Sequence, residues 1–318
     1  MDWFGADVDG PLVVIRAIHF VATAVTVGTL IFRSVVAEPA LRSEETTAAV
    51  VRRQSAHIAW LGLAVASVSG VIWVLVQTVA MSGLPLADAI SSDVLSTVLN
   101  ETQFGLISKM RFGLAIIVAA SLVFDRLPRV YWLGLAAALA FIASIAWTGH
   151  AGSTLGQTGI LHLTADTLHL VAAAAWIGGL VPLVLLLNLA RCHQAPAWVA
   201  LARDVAQGFS TLGIVSVGTL LATGIINTGV LVGSFHALLV TGYGQLLTLK
   251  IVVFAAMVGV AAINRYWLTP RLVLSAKDAA PSALRQLTRN SVIEIALGFA
   301  IFAIVGVLGT LHPAMHGQ

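Results

Sequence analysis

Charge is what this chain has least of: Asp, Glu, Lys and Arg make up 10% of its 318 residues, while 58% are hydrophobic. A water-soluble domain carries about a quarter charged residues. Too little polar surface remains to coat a soluble globule of this length, so the surplus apolar surface must meet lipid. Thiol is equally scarce. A single cysteine, Cys192, excludes an internal disulfide and any multi-thiolate metal site. No phosphate-binding glycine loop, nucleophile elbow or zinc-protease motif occurs, so an enzyme is not expected. A formal charge of +3 says little for nucleic acid, and none is expected as a partner. The first nine residues, Met-Asp-Trp-Phe-Gly-Ala-Asp-Val-Asp, are acidic where a cleavable signal needs a basic start. The first apolar segment is therefore expected to be kept as a helix.

What the chain has in quantity is long apolar runs. A bilayer core needs about 20 such residues per helix. Runs of that kind occupy about 12–36, 58–81, 104–124, 130–149, 162–190, 209–232, 243–265 and 291–311. The expected fold is all-α, an integral membrane bundle of eight transmembrane helices forming one membrane domain over 1–318. Basic residues set its orientation. Arg33, Arg42, Arg52 and Arg53 follow the first run, Arg126 and Arg129 the third, and Arg191 and Arg203 the fifth. Arg265, Arg271, Lys277, Arg285 and Arg289 close the seventh run or follow it. The opposite connections and both termini contain no Lys or Arg, so both termini are expected to be non-cytoplasmic. The one long outer connection, 82–103, places Leu86, Ala89, Ile90, Val94, Val98 and Leu99 near helical spacing. It reads either as a short helix on the membrane surface or as a structured loop.

The chain also resembles itself. Arg16-Ala-Ile-His19, continuing to Gly28, aligns with Asp166-Thr-Leu-His169, continuing to Gly178. Thr102-Gln-Phe104-Gly105 with Arg111 aligns with Thr241-Gly-Tyr243-Gly244 with Lys250. Thr148-Gly-His150 aligns with Thr310-Leu-His312, and Ser69-Gly70 more weakly with Thr223-Gly224. The matches keep their order, and four spans per half preserve orientation. Two parallel four-helix repeats are expected, 12–149 (including the outer segment 82–103) and 162–312, about an axis along the membrane normal.

Seven of the nine histidines map to the outer half: His19, His150, His162, His169, His236, His312 and His316. Ionisable groups within a membrane are costly and face a bundle interior or a water-filled cavity. His162, Asp166 and His169 stand at i, i+4 and i+7, on one helix face. Imidazole suits copper, zinc, iron and nickel, and a carboxylate can ligate or orient the ring. Two readings stay open for these residues. They ligate a metal, or they form a polar seam in which Asp166 pairs with Arg16 or Lys250. The expected metal set is His19, His150, His162, His169, His312 and Asp166, with His236, Met315 and His316 as additional donors. Met110 is the other methionine near that face. Such a set fits copper first and zinc second. Arg16, Arg111, Lys250 and Glu294 are the supporting polar groups. Glu294 serves either as an interhelical partner or on a release or proton path. Asn227 and Asn264 read as interhelical hydrogen-bond partners, and Trp176-Ile-Gly-Gly-Leu-Val-Pro182 as a bend.

At several of these residues the chain resembles the CopD family, the copper resistance protein D membrane proteins. The features are Gly149-His150-Ala151, Asp166-x-x-His169 followed by Trp176-x-Gly178-Gly179-Leu180, Thr241-x-Tyr243-Gly244 leading to Lys250, and Asn264-Arg265 before Pro270. The resemblance implies a bacterial inner-membrane protein of copper resistance or import, working beside a periplasmic carrier of the CopC type. The spans leave no residues for a fused CopC-like domain, so such a partner is expected as a separate chain. The leading expectation is copper binding at the periplasmic face followed by import. His19, His150, His169 and His312 would then line one central outer cavity, with His162 and Asp166 at its mouth. Two alternatives remain: a b-type haem protein moving electrons through the membrane, and a non-transporting copper receptor or assembly partner at the outer face.

Overall fold

The computed structural model describes residues 9–42, 45–125, 127–149, 156–193, 195–274 and 280–311. Every regular element among them is helical. Among the described residues, eight helices are long and apolar enough to cross a membrane: Gly10–Leu41, Thr47–Ser82, Gln103–Val123, Pro128–Thr148, Gly156–His193, Pro196–Val232, Gly242–Leu272 and Pro281–Leu308. They are spans one to eight below. Each run of expected apolar residues lies on one of them. The outer connection carries two short helices, Leu86–Ala89 and Ser92–Glu101, so the helical reading of that segment holds. A further short helix, Phe235–Val240, precedes span seven.

The helix starts follow from local chemistry. The first free N–H groups of a helix need acceptors. Asp9 supplies one to Leu12 N at 3.2 Å, with Pro11 in the first turn where a missing N–H costs nothing. Spans three and seven start alike. Thr102 Oγ1 accepts from Gly105 N at 3.0 Å, and Thr241 Oγ1 accepts from Gly244 N at 3.0 Å. Both glycines are required by close approach. A Cβ at Gly105 would lie 2.5 Å from Leu99 Cα, and one at Gly244 would lie 2.6 Å from Leu238 Cα. Each lets the short helix before it fold back tightly.

Spans one and five form the centre. Their apolar stretches are each 78% buried, against 22% for span six and 17% for span seven, which turn most of their surface outward. The two central helices cross at glycine: a Cβ on Gly28 would lie 2.6 Å from Gly178 Cα. Close backbone packing of this kind replaces the hydrophobic drive that lipid does not supply. Gly178→Val is expected to lower stability by about 3 kcal/mol, at the upper end for overpacking, because the obstruction is backbone that cannot step aside. A fall in the unfolding midpoint in detergent checks this.

Three spans contain π-helical turns: Phe32–Ala37 in span one, Ala174–Gly178 in span five and Asn264–Leu268 in span seven. The expected bend at Trp176–Pro182 takes this form, a wide turn directly before Gly179. Such turns interrupt regular bonding and re-aim side chains.

With an even number of alternating spans, the first and last described residues, Asp9 and Leu311, reach the same end of the bundle, called the terminal end here. Arg16 Nη1 donates to Gly309 O at 2.9 Å, joining spans one and eight there. The opposite, loop end holds the ion pairs found among the described residues. Arg33 meets Asp125 at 2.8 Å and Glu38 at 3.3 Å, and Arg52 meets Glu38 at 2.7 Å.

Candidate functional site

The face of span five expected from spacing is real. His162, Asp166, His169, Ala173 and Trp176 all line one cavity of about 490 Å³ at the terminal end. Span one contributes Arg16, span six Asn227, and span seven Tyr243 and Lys250. The apolar walls of these spans enclose a small number of converging polar groups, as in small-ligand sites generally.

Hydrogen bonds fix the His169 ring. The Thr223 hydroxyl lies 2.7 Å from Thr219 O and 2.9 Å from His169 Nδ1; with its proton on the Thr219 carbonyl, it accepts from the ring. In that arrangement the proton sits on Nδ1, and Nε2 carries a bare lone pair suited to a ligand. This is the arrangement by which an outer partner orients a metal-binding imidazole. Asp166 Oδ1 accepts from Asn227 Nδ2 at 3.3 Å, while Asn227 Oδ1 is buried with no hydrogen-bond partner among the described residues. Of the polar-seam alternative, no direct ion pair within 4 Å from Asp166 to Arg16 or Lys250 occurs among the described residues; Lys250 acts on Asp166 only through longer-range charge, and Asn227 is the amide partner of Asp166. His162 is buried.

His19 is held the same way but ends differently. Ser69 Oγ donates to Val65 O at 2.6 Å and accepts from His19 Nδ1 at 3.1 Å. Gly70 lies against the ring of His19 as Gly224 lies against that of His169. Here, however, Arg111 donates to His19 Nε2 and, through Nη1, to Ser144 Oγ at 3.1 Å. Its guanidinium stacks 4.9 Å from the Phe141 ring centroid. Trp73 and Phe20 close the remaining sides, and only about 20 Å³ is left empty beside the histidine. His19 and His169 thus occupy two separate pockets, which departs from the single central cavity expected. Each ring is held by its own neighbour in sequence order, span two or span six, and so turns away from the Gly28–Gly178 crossing.

The other expected donors divide as follows. His150, His312, Met315 and His316 lie outside the described residues, although Gly149 and Gly309 line the large cavity. His236 is exposed on the short helix before span seven, and Met110 is 46% exposed. Among the described residues, no three of His, Cys, Asp and Glu group closely enough to hold a metal. The histidines among the described lining residues both come from span five, so they cannot approach one iron from opposite faces. Sequence reading undervalued Ser69 and Thr223, the residues that bond both imidazoles at Nδ1. The signal was present in the matched Ser69-Gly70 and Thr223-Gly224 pairs.

Glu294 lies elsewhere. It is 3% exposed and lines a second cavity, of about 360 Å³, nearer the loop end. Its Oε1 accepts from Asn264 Nδ2 at 2.6 Å and its Oε2 from Trp176 Nε1 at 3.2 Å. Asn290 Nδ2 donates in turn to Asn264 Oδ1 at 2.9 Å.

The chain matches the Copper resistance protein D-like N-terminal domain over residues 7–160 and the Copper resistance protein D family over residues 203–308. It is 32% identical to the inner membrane protein YebZ of Escherichia coli (strain K12) over 251 residues, covering 76% of this chain and 82% of that protein. It is 30% identical to copper resistance protein D of Pseudomonas syringae pv. tomato over 176 residues, 55% of this chain and 56% of that one. It is 28% identical to the copper transport protein CutJ of Bacillus subtilis (strain 168) over 311 residues, 93% of this chain and 52% of that one. The chain therefore spans about half the length of the latter two relatives. No solved structure matches it. With its eight spans and two separately framed histidines, the chain belongs to the copper resistance protein D family.

Proposed function

We propose that the protein binds copper in the terminal-end cavity, chiefly through His169, and moves it across the bacterial inner membrane toward the cytoplasm. The observation that carries this reading is the setting of His169: an imidazole bonded through Nδ1 to Thr223 that lines the terminal-end cavity beside His162 and Asp166. His162, Asp166 and the unpartnered Asn227 Oδ1 offer further donors. His150 follows Gly149 directly in sequence and His312 follows Gly309 by three residues; they complete the set the reading requires. Nitrogen with carboxylate and amide oxygen fits copper, and zinc is the competitor that ligand type leaves open.

In this reading both termini face the periplasm, because the arginine-rich connections sit at the loop end. The ion is delivered to the terminal end, with a separate periplasmic copper carrier as the proposed donor. The chain is read as two parallel four-span repeats. Support comes from paired geometry: Ser69 on His19 and Thr223 on His169, Thr caps at 102 and 241, and glycines 28 and 178 in contact. The halves have diverged. Arg111 bonds His19 Nε2 and fills the first pocket, whereas its counterpart Lys250 lines the second cavity with no hydrogen bond to His169 among the described residues, which leaves the second as the ion site in this reading. The names of the relatives, copper resistance protein D and copper transport protein, agree with this use.

Proteoliposomes test it. Copper accumulation inside vesicles, lost with His169→Ala, is the expected result. Binding without accumulation would convert the reading to a non-transporting receptor. Thr223→Val keeps shape but removes the ring's acceptor, and copper affinity is expected to fall about 10–100-fold, as for other outer partners of metal-bound histidine. A competition titration with a copper chelator measures that change.

A further inference from the structure

The face of span five does not end at the terminal-end cavity. Trp176 lines that cavity and also the loop-end cavity, and Leu180 and Leu183 carry the same face onward along the second. The indole, 1% exposed and set within the π-helical turn Ala174–Gly178, stands between the two spaces beside Leu221 of span six, which also lines both. Phe254, from span seven, packs edge-on against it with centroids 6.1 Å apart. Its N–H is committed to Glu294 on the loop-end side.

Glu294 is a buried carboxylate whose contacts are neutral. Asn264 and Trp176 donate to it, and Asn290 supports Asn264. Ser291 lines the cavity from its own helix. The charged side chain that shares the cavity, Arg265, is turned to Ser210, donating to Oγ at 2.7 Å and to the carbonyl at 3.2 Å, and lies over Tyr266. A carboxylate deep in a membrane without a counter-ion is costly. It takes a small cation as its natural partner, and its two oxygens are already approached by N–H donors on the sides where a metal shell would need bare lone pairs. The proton is the cation that fits, since it needs one lone pair and no shell.

We propose that Glu294 is a proton-binding site of the loop-end cavity and that Trp176, through its bond to that carboxylate, is the proton-responsive part of the partition between the two cavities. Proton uptake converts the Glu294 carboxylate to a carboxylic acid, forming one O–H bond. When the proton sits on Oε2, the indole N–H faces a poorer acceptor and its tether weakens. Release of the proton restores the carboxylate and the tether. The partition is thus set by a proton arriving from the loop-end side. The proton site stands on this geometry alone; that it drives copper movement rests on the function proposed above.

Infrared difference spectroscopy of the full-length protein in lipid nanodiscs, recorded through a pH titration without copper, tests the site. Wild type is expected to show a carboxylic acid C=O band that comes and goes with pH. Glu294→Gln should lose that band, Trp176→Phe should move its frequency, and His169→Ala should leave it in place. Glu294→Asp guards against a folding failure, because it should retain a titrating band at an altered frequency. The same titrating bands in wild type and Glu294→Gln would overturn the proposal, as would an unmoved band in Trp176→Phe. Copper binding, measured on the same samples, fails or succeeds separately: a protein that binds no copper yet keeps the Glu294 band would refute the copper reading and leave the proton site standing.

Discussion

Replacing His169 by alanine is expected to weaken copper binding by more than roughly 100-fold, beyond the range seen when only an outer partner of a ligand is lost. The substitution removes the Nε2 lone pair itself and leaves Thr223 still bonded within its own helix, so the scaffold survives. His19→Ala, by contrast, should leave copper affinity unchanged, since that Nε2 already accepts from Arg111. The pair of variants separates two residues that are equivalent in sequence and differ in surroundings. Equilibrium dialysis with copper in detergent reads both. A loss of similar size in each would show that the first pocket also holds copper.

The second large effect falls on stability. Arg111 is 5% exposed and bonds His19, Ser144 and the face of Phe141. Arg111→Ala removes two charge-assisted hydrogen bonds, worth about 1.5–3 kcal/mol each, while relieving a charge buried in the membrane. The net expected loss is about 2–4 kcal/mol, seen as a lower unfolding midpoint. Copper affinity of the folded protein should stay as it was. Loss of copper binding without loss of stability would instead make Arg111 part of the ion's route.

Much of this was legible in the sequence because membranes leave few solutions. Apolar runs near bilayer length had to be helices, and every one of the eight became a span. Span ends were less legible. Spans two and six begin at Thr47 and Pro196, well before the apolar runs at 58 and 209. Those first turns are amphipathic: Val51 and Ser55 are buried while Arg52 and Arg53 are exposed, so helix continues past the apolar stretch. Hydropathy sees the bilayer, and not the turns that outlast it.

The site was legible as a face and illegible as a grouping. Spacing alone put His162, Asp166 and His169 on one side of span five. It could not show that His19 turns to Ser69 and Arg111, because that depends on which way two crossing helices present their polar groups. The partition was missed for the same reason. Trp176 read as part of a bend and Glu294 as an interhelical partner or part of a proton path, with nothing in the spacing to join two residues 118 positions apart. Only the packing of spans five, seven and eight joins them.

The central claim is that copper sits on His169 in the terminal-end cavity. X-ray absorption at the copper edge, on copper-loaded wild type and on His169→Ala loaded at the same concentration, tests it most directly. The account predicts imidazole scattering around copper in wild type and its loss or marked weakening in the variant. An unchanged imidazole signal in His169→Ala would contradict it.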